Sequence, residues 1–210
     1  MTTPRRKGLL RHLCRNVRMV SEAQAGRVMA LYGPGTTSVS RELAGLVAGD
    51  FLRRDRVIAR PLAPLTEPVA RWLPGEEPPD FGALAWRLGK RWDVAPEVMP
   101  VYRAGPAARR TFGSGTCSGG LNFAALSHDL ACADMLLAFA ALHPRRLAHW
   151  VGEDVRKDGL ARGEKLPDVI LYGADLEPYL VCELAGSYPK ARLEAFHAYV
   201  AALNLPYELW

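Results

Sequence analysis

Apolar residues recur at helical spacing near the start of the chain. Leu9, Leu10, Leu13 and Cys14 fall on one face and arginines with Lys7 on the other, which predicts a helix over residues 5–16. Ser21 followed by Gln24 has the spacing of a capping box, and Val28, Met29 and Leu31 carry a second helix to the breaker Gly33-Pro34-Gly35. Thr36, Thr37 and Ser38 offer N-caps to a third helix with Val39, Leu43, Leu46 and Val47 on one face, stopped by Gly49-Asp50. Residues 51–54 and 56–60 then read as two short strands about Asp55, the second ended by Pro61. Three helices and a basic hairpin follow one another in the order of a winged helix.

Pro61, Pro64, Pro68, Pro74, Pro78 and Pro79 oppose both helix interiors and central strands, so an inter-domain connection is expected over residues 63–80. Asp80 caps a helix with Phe81, Leu84, Ala85, Leu88 and Trp92 on one face. Residues 98–102 suit an edge strand, and the glycine run 113–120 a loop that lacks the Gly-Lys-Ser/Thr of a phosphate loop. A strongly apolar helix over 122–143 is expected to be a central packing element. Its Ser127, His128 and Asp129 are consecutive and point in different directions, so they cannot form a triad among themselves, and His128 reads as structural. Short apolar runs at 148–151, 166–172 and 179–185 predict strands. Pro189 suits the first turn of a last helix with Leu193, Phe196, Val200 and Leu203 buried and His197 at the core edge, before a final strand over 206–210.

The chain of 210 residues is 49% hydrophobic and 23% charged, values of a folded globular protein. No run of about 18 apolar residues and no secretory leader is visible, so a cytoplasmic protein without a membrane partner is expected. Cys14, Cys117, Cys132 and Cys182 are widely spaced, with neither the pairing of a zinc motif nor the density of a disulfide framework. Charge changes the picture more. Residues 1–60 hold 12 Lys and Arg against 4 Asp and Glu, a net +8, which leaves −3 on the remaining 150. A basic module at one end suits a polyanion. In a winged helix the third helix enters the major groove, so Ser38, Ser40 and Arg41 are expected at base edges or phosphates of double-stranded DNA, with Arg53, Arg54, Arg56 and Arg60 on phosphates. The alternative is an adaptor whose basic face meets an acidic protein. A homodimer is compatible with a winged helix, although no coiled-coil heptads support one.

If the turn over residues 173–178 closes symmetrically about Asp175 and Leu176, Tyr172 faces Tyr179 and Asp168 faces Glu183. Like charges paired across strands are destabilising unless a cation or basic residue compensates. Two carboxylates suit Mg²⁺, with Glu153 as a candidate third acid. Pro167-Asp168, an apolar strand, a turn and then Glu183 resemble the PD-(D/E)xK nuclease core. The resemblance implies that Asp168 and Glu183 bind metal and that a lysine two residues after the glutamate helps activate water. That position is Ala185 here, with Lys190 as a candidate replacement from the next helix. The domain is then either an active Mg²⁺-dependent endonuclease using Asp168, Glu183 and Lys190, or an inactive nuclease-like module, or an unrelated sheet.

The whole order, a winged helix, then Ser127-His128-Asp129-Leu130 in an apolar helix, then Leu166-Pro167-Asp168 and Cys182-Glu183, is similar to the replication-relaxation family. That resemblance implies DNA binding in the replication control of plasmids or mobile elements. The expected fold class is α+β: an N-terminal winged helix-turn-helix over 1–62, the connection 63–80, and a PD-(D/E)xK-like α/β domain over 81–210 with a small mixed sheet flanked by helices.

Overall fold

The computed structural model describes residues 3–113, 125–156 and 166–210. Most of the glycine run 113–120, the start of the helix expected at 122, and Cys117 lie outside the described residues. The fold is mixed α+β, with eight α-helices and two sheets among the described residues.

Helix α1 (Pro4–Arg15) starts where Thr3 caps it and Pro4 fits the first turn, and it buries Leu9, Leu10, Leu13 and Cys14. The two-residue strand β1 (Val20–Ser21) leads into α2 (Glu22–Ala30), whose Ser21–Gln24 capping box is formed in both directions. Ser38 caps α3 (Val39–Ala48), and Asp50 at φ 57° turns the chain out of it. The two strands expected about Asp55 are instead one continuous strand, β2 (Leu52–Ala59). Its partner lies far along the chain. Residues 60–96 intervene before β4 (Glu97–Ala104) pairs antiparallel with all of β2, from Leu52↔Ala104 to Ala59↔Glu97, and with β1 on its other edge. A short-range hairpin was the natural reading because both halves of β2 carry strand residues and Asp55 resembles a turn. Asp55 is in fact held within the sheet by Arg103, at 2.8 Å. Helix α5 (Pro106–Phe112), not anticipated, follows at once.

The intervening segment belongs elsewhere. Its β3 (Ala70–Trp72), inside the proline-rich stretch, pairs with β8 (Tyr207–Leu209), and α4 (Phe81–Arg91) packs against α8 (Lys190–Ala202). The second sheet runs β3-β8-β7-β6-β5, from β5 (Trp150–Gly152), β6 (Val169–Tyr172), β7 (Pro178–Glu183) and β8 (Tyr207–Leu209). Strands β5, β6 and β7 form an antiparallel meander, and α8 (Lys190–Ala202) crosses over to lay β8 parallel to β7. Helix α6 (Leu126–Leu142) is buried around most of its circumference, because it lies between the two sheets. Its Leu126 and Leu130 cover Val57, Ala59 and Val101 of the first sheet, and its Met135, Leu136 and Phe139 join Trp150, Leu171 and Trp210 of the second.

One apolar cluster therefore runs from Leu9 and Leu13 of α1 to Leu171 and Trp210, so the boundary expected at residue 62 does not separate two cores. Polar ties reinforce the seam. Arg18, between α1 and β1, holds Asp154 with Nε and Nη2 at 2.6 Å each, Glu153 at 3.1 Å and Asp129 at 3.0 Å. The two acids 153 and 154 lie on the short helix α7 (Glu153–Arg156) and Asp129 on α6. Arg27 on α2 reaches Asp134 on α6 at 3.1 Å. Bidentate, charge-assisted bonds of this kind are the strong ones. Replacing Arg18 by alanine leaves three carboxylates facing one another. With the arginine side chain 29% exposed and partly screened, a loss of roughly 2 to 3 kcal/mol is expected. The urea midpoint of Arg18→Ala checks this, and an unchanged midpoint would show the seam to be held by apolar contact alone.

Candidate functional site

The β6–β7 register decides the geometry of the acids. Val169↔Cys182, Ile170↔Val181 and Leu171↔Leu180 pair directly, which sets Asp168, just before β6, opposite Glu183 at the end of β7. Only near the turn does the pairing shift, Tyr172 meeting Pro178 and not Tyr179, because a bulge there absorbs one residue. The Asp168 backbone N–H donates to Glu183 Oε2 at 3.0 Å, and the Leu184 N–H donates to Asp168 Oδ2 at 2.8 Å. Tyr188 donates its hydroxyl to Glu183 Oε1 at 2.9 Å.

The compensation that two facing carboxylates require comes from within the protein. Burial, then the neighbouring Asp168 carboxylate, push the Glu183 carboxyl up to about 8. His128 Nε2 stands 3.4 Å from Asp168 Oδ2. The same ring approaches Cys132 through Nδ1, at 3.6 Å from the sulfur. His128 is raised to about 12, by the Cys132 thiolate first and by its hydrogen bond to Asp168. Burial, however, lifts the Cys132 thiol to about 11. The Cys132 charge that contributes most to the histidine's upward shift is itself disfavoured by burial, which leaves the contact with Asp168 as its remaining cause. His128 and Cys132 were not singled out for this site from sequence, although their i, i+4 spacing on a predicted helix places both on one face.

The other acids and bases expected at the site are engaged elsewhere. The Glu153 carboxylate pairs with Arg18 at 3.1 Å, and its backbone N–H donates to the Asp168 carbonyl at 2.8 Å. Lys190 opens α8, is 64% exposed in its side chain and pairs with Glu194 at 3.6 Å, while Ala185, where the nuclease lysine would stand, is fully buried. These residues do not fit Mg²⁺. That ion needs ionised oxygen ligands that remain open to water. Glu183 is 8% exposed, and both of its oxygens already accept hydrogen bonds within the protein.

No family model, curated protein or solved structure matches this chain. No helix among the described residues is long and apolar enough to cross a membrane.

The basic residues of the first sixty do not gather on one surface. Arg5 and Arg6 pair with buried Glu42, and Arg18 and Arg27 with acids of α6 and α7. Arg11 and Arg15 line a separate hollow with Tyr32, Leu147 and Val151. Of the residues expected on DNA, Ser38 caps α3, Ser40 donates to Glu22, and Arg41 is exposed. Alternation along β2 puts Arg54 and Arg56 on its outer face beside exposed Ile58, and Arg53 on the other face opposite Arg103. Arg60 is spent internally, its backbone N–H on Ser127 Oγ at 2.8 Å and its guanidinium on the Val94 carbonyl. A net +8 could not reveal this, because the partners of Arg18, Arg27 and Arg60 lie more than thirty residues away in sequence.

A raised carboxyl gives a definite pH dependence. The folded state keeps the Glu183 proton over the interval in which the unfolded chain has lost it. Its contribution to stability is therefore complete below about pH 4.5 and is lost as pH rises toward about 8. Glu183→Gln removes that dependence, so its stability relative to wild type is expected to rise steadily from pH 5 to pH 8. Urea midpoints at the two pH values measure it, and a difference that stays constant would mean the carboxyl is ionised throughout.

Proposed function

We propose that the protein binds double-stranded DNA through a winged helix formed by α1, β1, α2, α3, β2 and β4, and that its second sheet is a PD-(D/E)xK-like module that performs no catalysis. The observation that carries the reading is the sheet order β1-β4-β2 behind the succession helix, strand, helix, helix, strand, with the second wing strand, β4, supplied after an insertion that carries β3 and α4. In a winged helix that arrangement presents the third helix to the major groove and the last two strands to the backbone. Helix α3 has Ser40, Arg41, Ala44, Gly45 and Ala48 exposed, mostly small residues that permit close approach to a groove. With Arg41 its one long basic side chain, and Arg54 and Arg56 on the outer face of β2, the affinity expected is carried by phosphates more than by base edges.

For the second module the support is, among the described residues, an apolar helix α6 followed by the antiparallel meander β5, β6, β7, with the short α7 after β5, and then α8 leading to β8 parallel to β7, which resembles the order of the nuclease core. The alanine at 185 and the buried Glu183, with both oxygens already hydrogen-bonded, favour a binding module over an endonuclease. A cytoplasmic role in the replication control of a plasmid or mobile element, as the replication-relaxation resemblance implies, is consistent with such a protein.

The test is the salt dependence of duplex binding, because each phosphate neutralised by an arginine releases counterions. Arg54→Ala/Arg56→Ala is expected to weaken binding on all duplexes alike and to flatten the slope of log K against log salt by about one per arginine. Fluorescence anisotropy from low to moderate salt reads it. A wild-type affinity indifferent to salt would point to the adaptor reading instead, and Mg²⁺-dependent nicking of plasmid that disappears in Asp168→Ala would point to the endonuclease.

A further inference from the structure

We propose that His128, Cys132 and Asp168 form a three-ligand site for a zinc-class divalent transition ion, with water in the fourth position. A nitrogen of His128, the Cys132 sulfur and an Asp168 carboxylate oxygen all lie within 4.8 Å of one another. Two of the three come from one helix face, four residues apart on α6, and the third from the start of β6, so the site closes the seam between helix and sheet. The donor set decides the ion. Thiolate with imidazole and carboxylate is a borderline-soft set that suits Zn²⁺ or Co²⁺, whereas Mg²⁺ takes hard oxygen donors.

Two independent features of the surroundings agree. The ligands open onto a small cavity of about 30 Å³, room for an ion with a water and for no larger substrate. Its wall holds four carboxylates, Asp129, Glu153, Asp154 and Asp168, of which the first three share the guanidinium of Arg18 while Asp168 faces the His128 ring, so acids outnumber the bases that line the cavity. Asp168 is fixed in place by hydrogen bonds at both of its ends. Leu184 N–H holds its Oδ2, and its own backbone N–H is anchored on Glu183. Outer contacts of this kind orient a ligand before the metal arrives. Glu183 thereby acts as a positioning residue behind Asp168, which accounts for a buried acid that binds no metal itself.

Full-length protein stripped with a chelator and titrated with Co²⁺ tests the site. One Co²⁺ per chain is expected, with thiolate-to-cobalt charge-transfer absorption and the d–d bands of a four-coordinate ion, both bleached by one equivalent of Zn²⁺ and untouched by excess Mg²⁺. Cys132→Ser is nearly isosteric and should abolish the charge-transfer band and weaken uptake by at least about ten-fold, with an unchanged circular dichroism spectrum. His128→Gln should weaken uptake while keeping the charge-transfer band at saturation. Failure of the wild type to take up one equivalent overturns the proposal, as does a band that survives in Cys132→Ser. Should either variant fold poorly, the wild-type stoichiometry and coordination spectrum decide by themselves.

Discussion

Strand β2 is paired along its whole length with a strand that begins nearly forty residues later, and most other features of the fold follow from that pairing. To reach β4 the chain must leave the first sheet, lay β3 against β8 and pack α4 on α8, then return. The two sheets are in this way interleaved and not strung in series. Helix α6 fills the space between them, which is why one apolar cluster extends from α1 to Trp210 and why Arg18 and Arg27 find their acids on the far side of the seam.

This interleaving places the two candidate activities back to back. The inner face of the β2–β4 pair packs on Leu126 and Leu130, and His128 and Cys132 are carried by that same helix. The outer face of the pair carries Arg54, Arg56 and Ile58. The acids, for their part, find partners within the protein: Glu183 accepts from Tyr188 and the Asp168 N–H, Asp168 meets the His128 ring and the Leu184 N–H, and the acids of α7 with Asp129 meet Arg18.

Local chemistry was legible in the sequence. The Ser21 capping box, the Ser38 and Asp80 caps, and the apolar faces of α1, α3 and α4 act over a few residues and appear where their patterns put them. The Asp168–Glu183 register was also readable, because a short turn fixes the pairing of its strands, although the bulge beside Tyr172 was not. What could not be read depends on distance along the chain. Nothing near β2 reports that β4 is its partner, so Asp55, paired in space with Arg103, was read as a turn. The same holds for charge. Arg60 and Arg18 look like surface cations until the Val94 carbonyl and three distant carboxylates are brought to them. His128, read as structural, and Cys132, read as one of four scattered cysteines, stand four residues apart on α6, and Asp168 comes to them from a distant part of the chain.

Amide hydrogen exchange of the full chain, with and without a saturating duplex, addresses the proposed interface most directly, since it reports which backbone the nucleic acid covers. Slowed exchange concentrated in α3 and in the exposed ends of β2 and β4, with α4 and α8 unchanged, is the result expected of a winged helix seated in a groove. Protection confined to α4 and α8, or none at all under conditions where the duplex is bound, would contradict it.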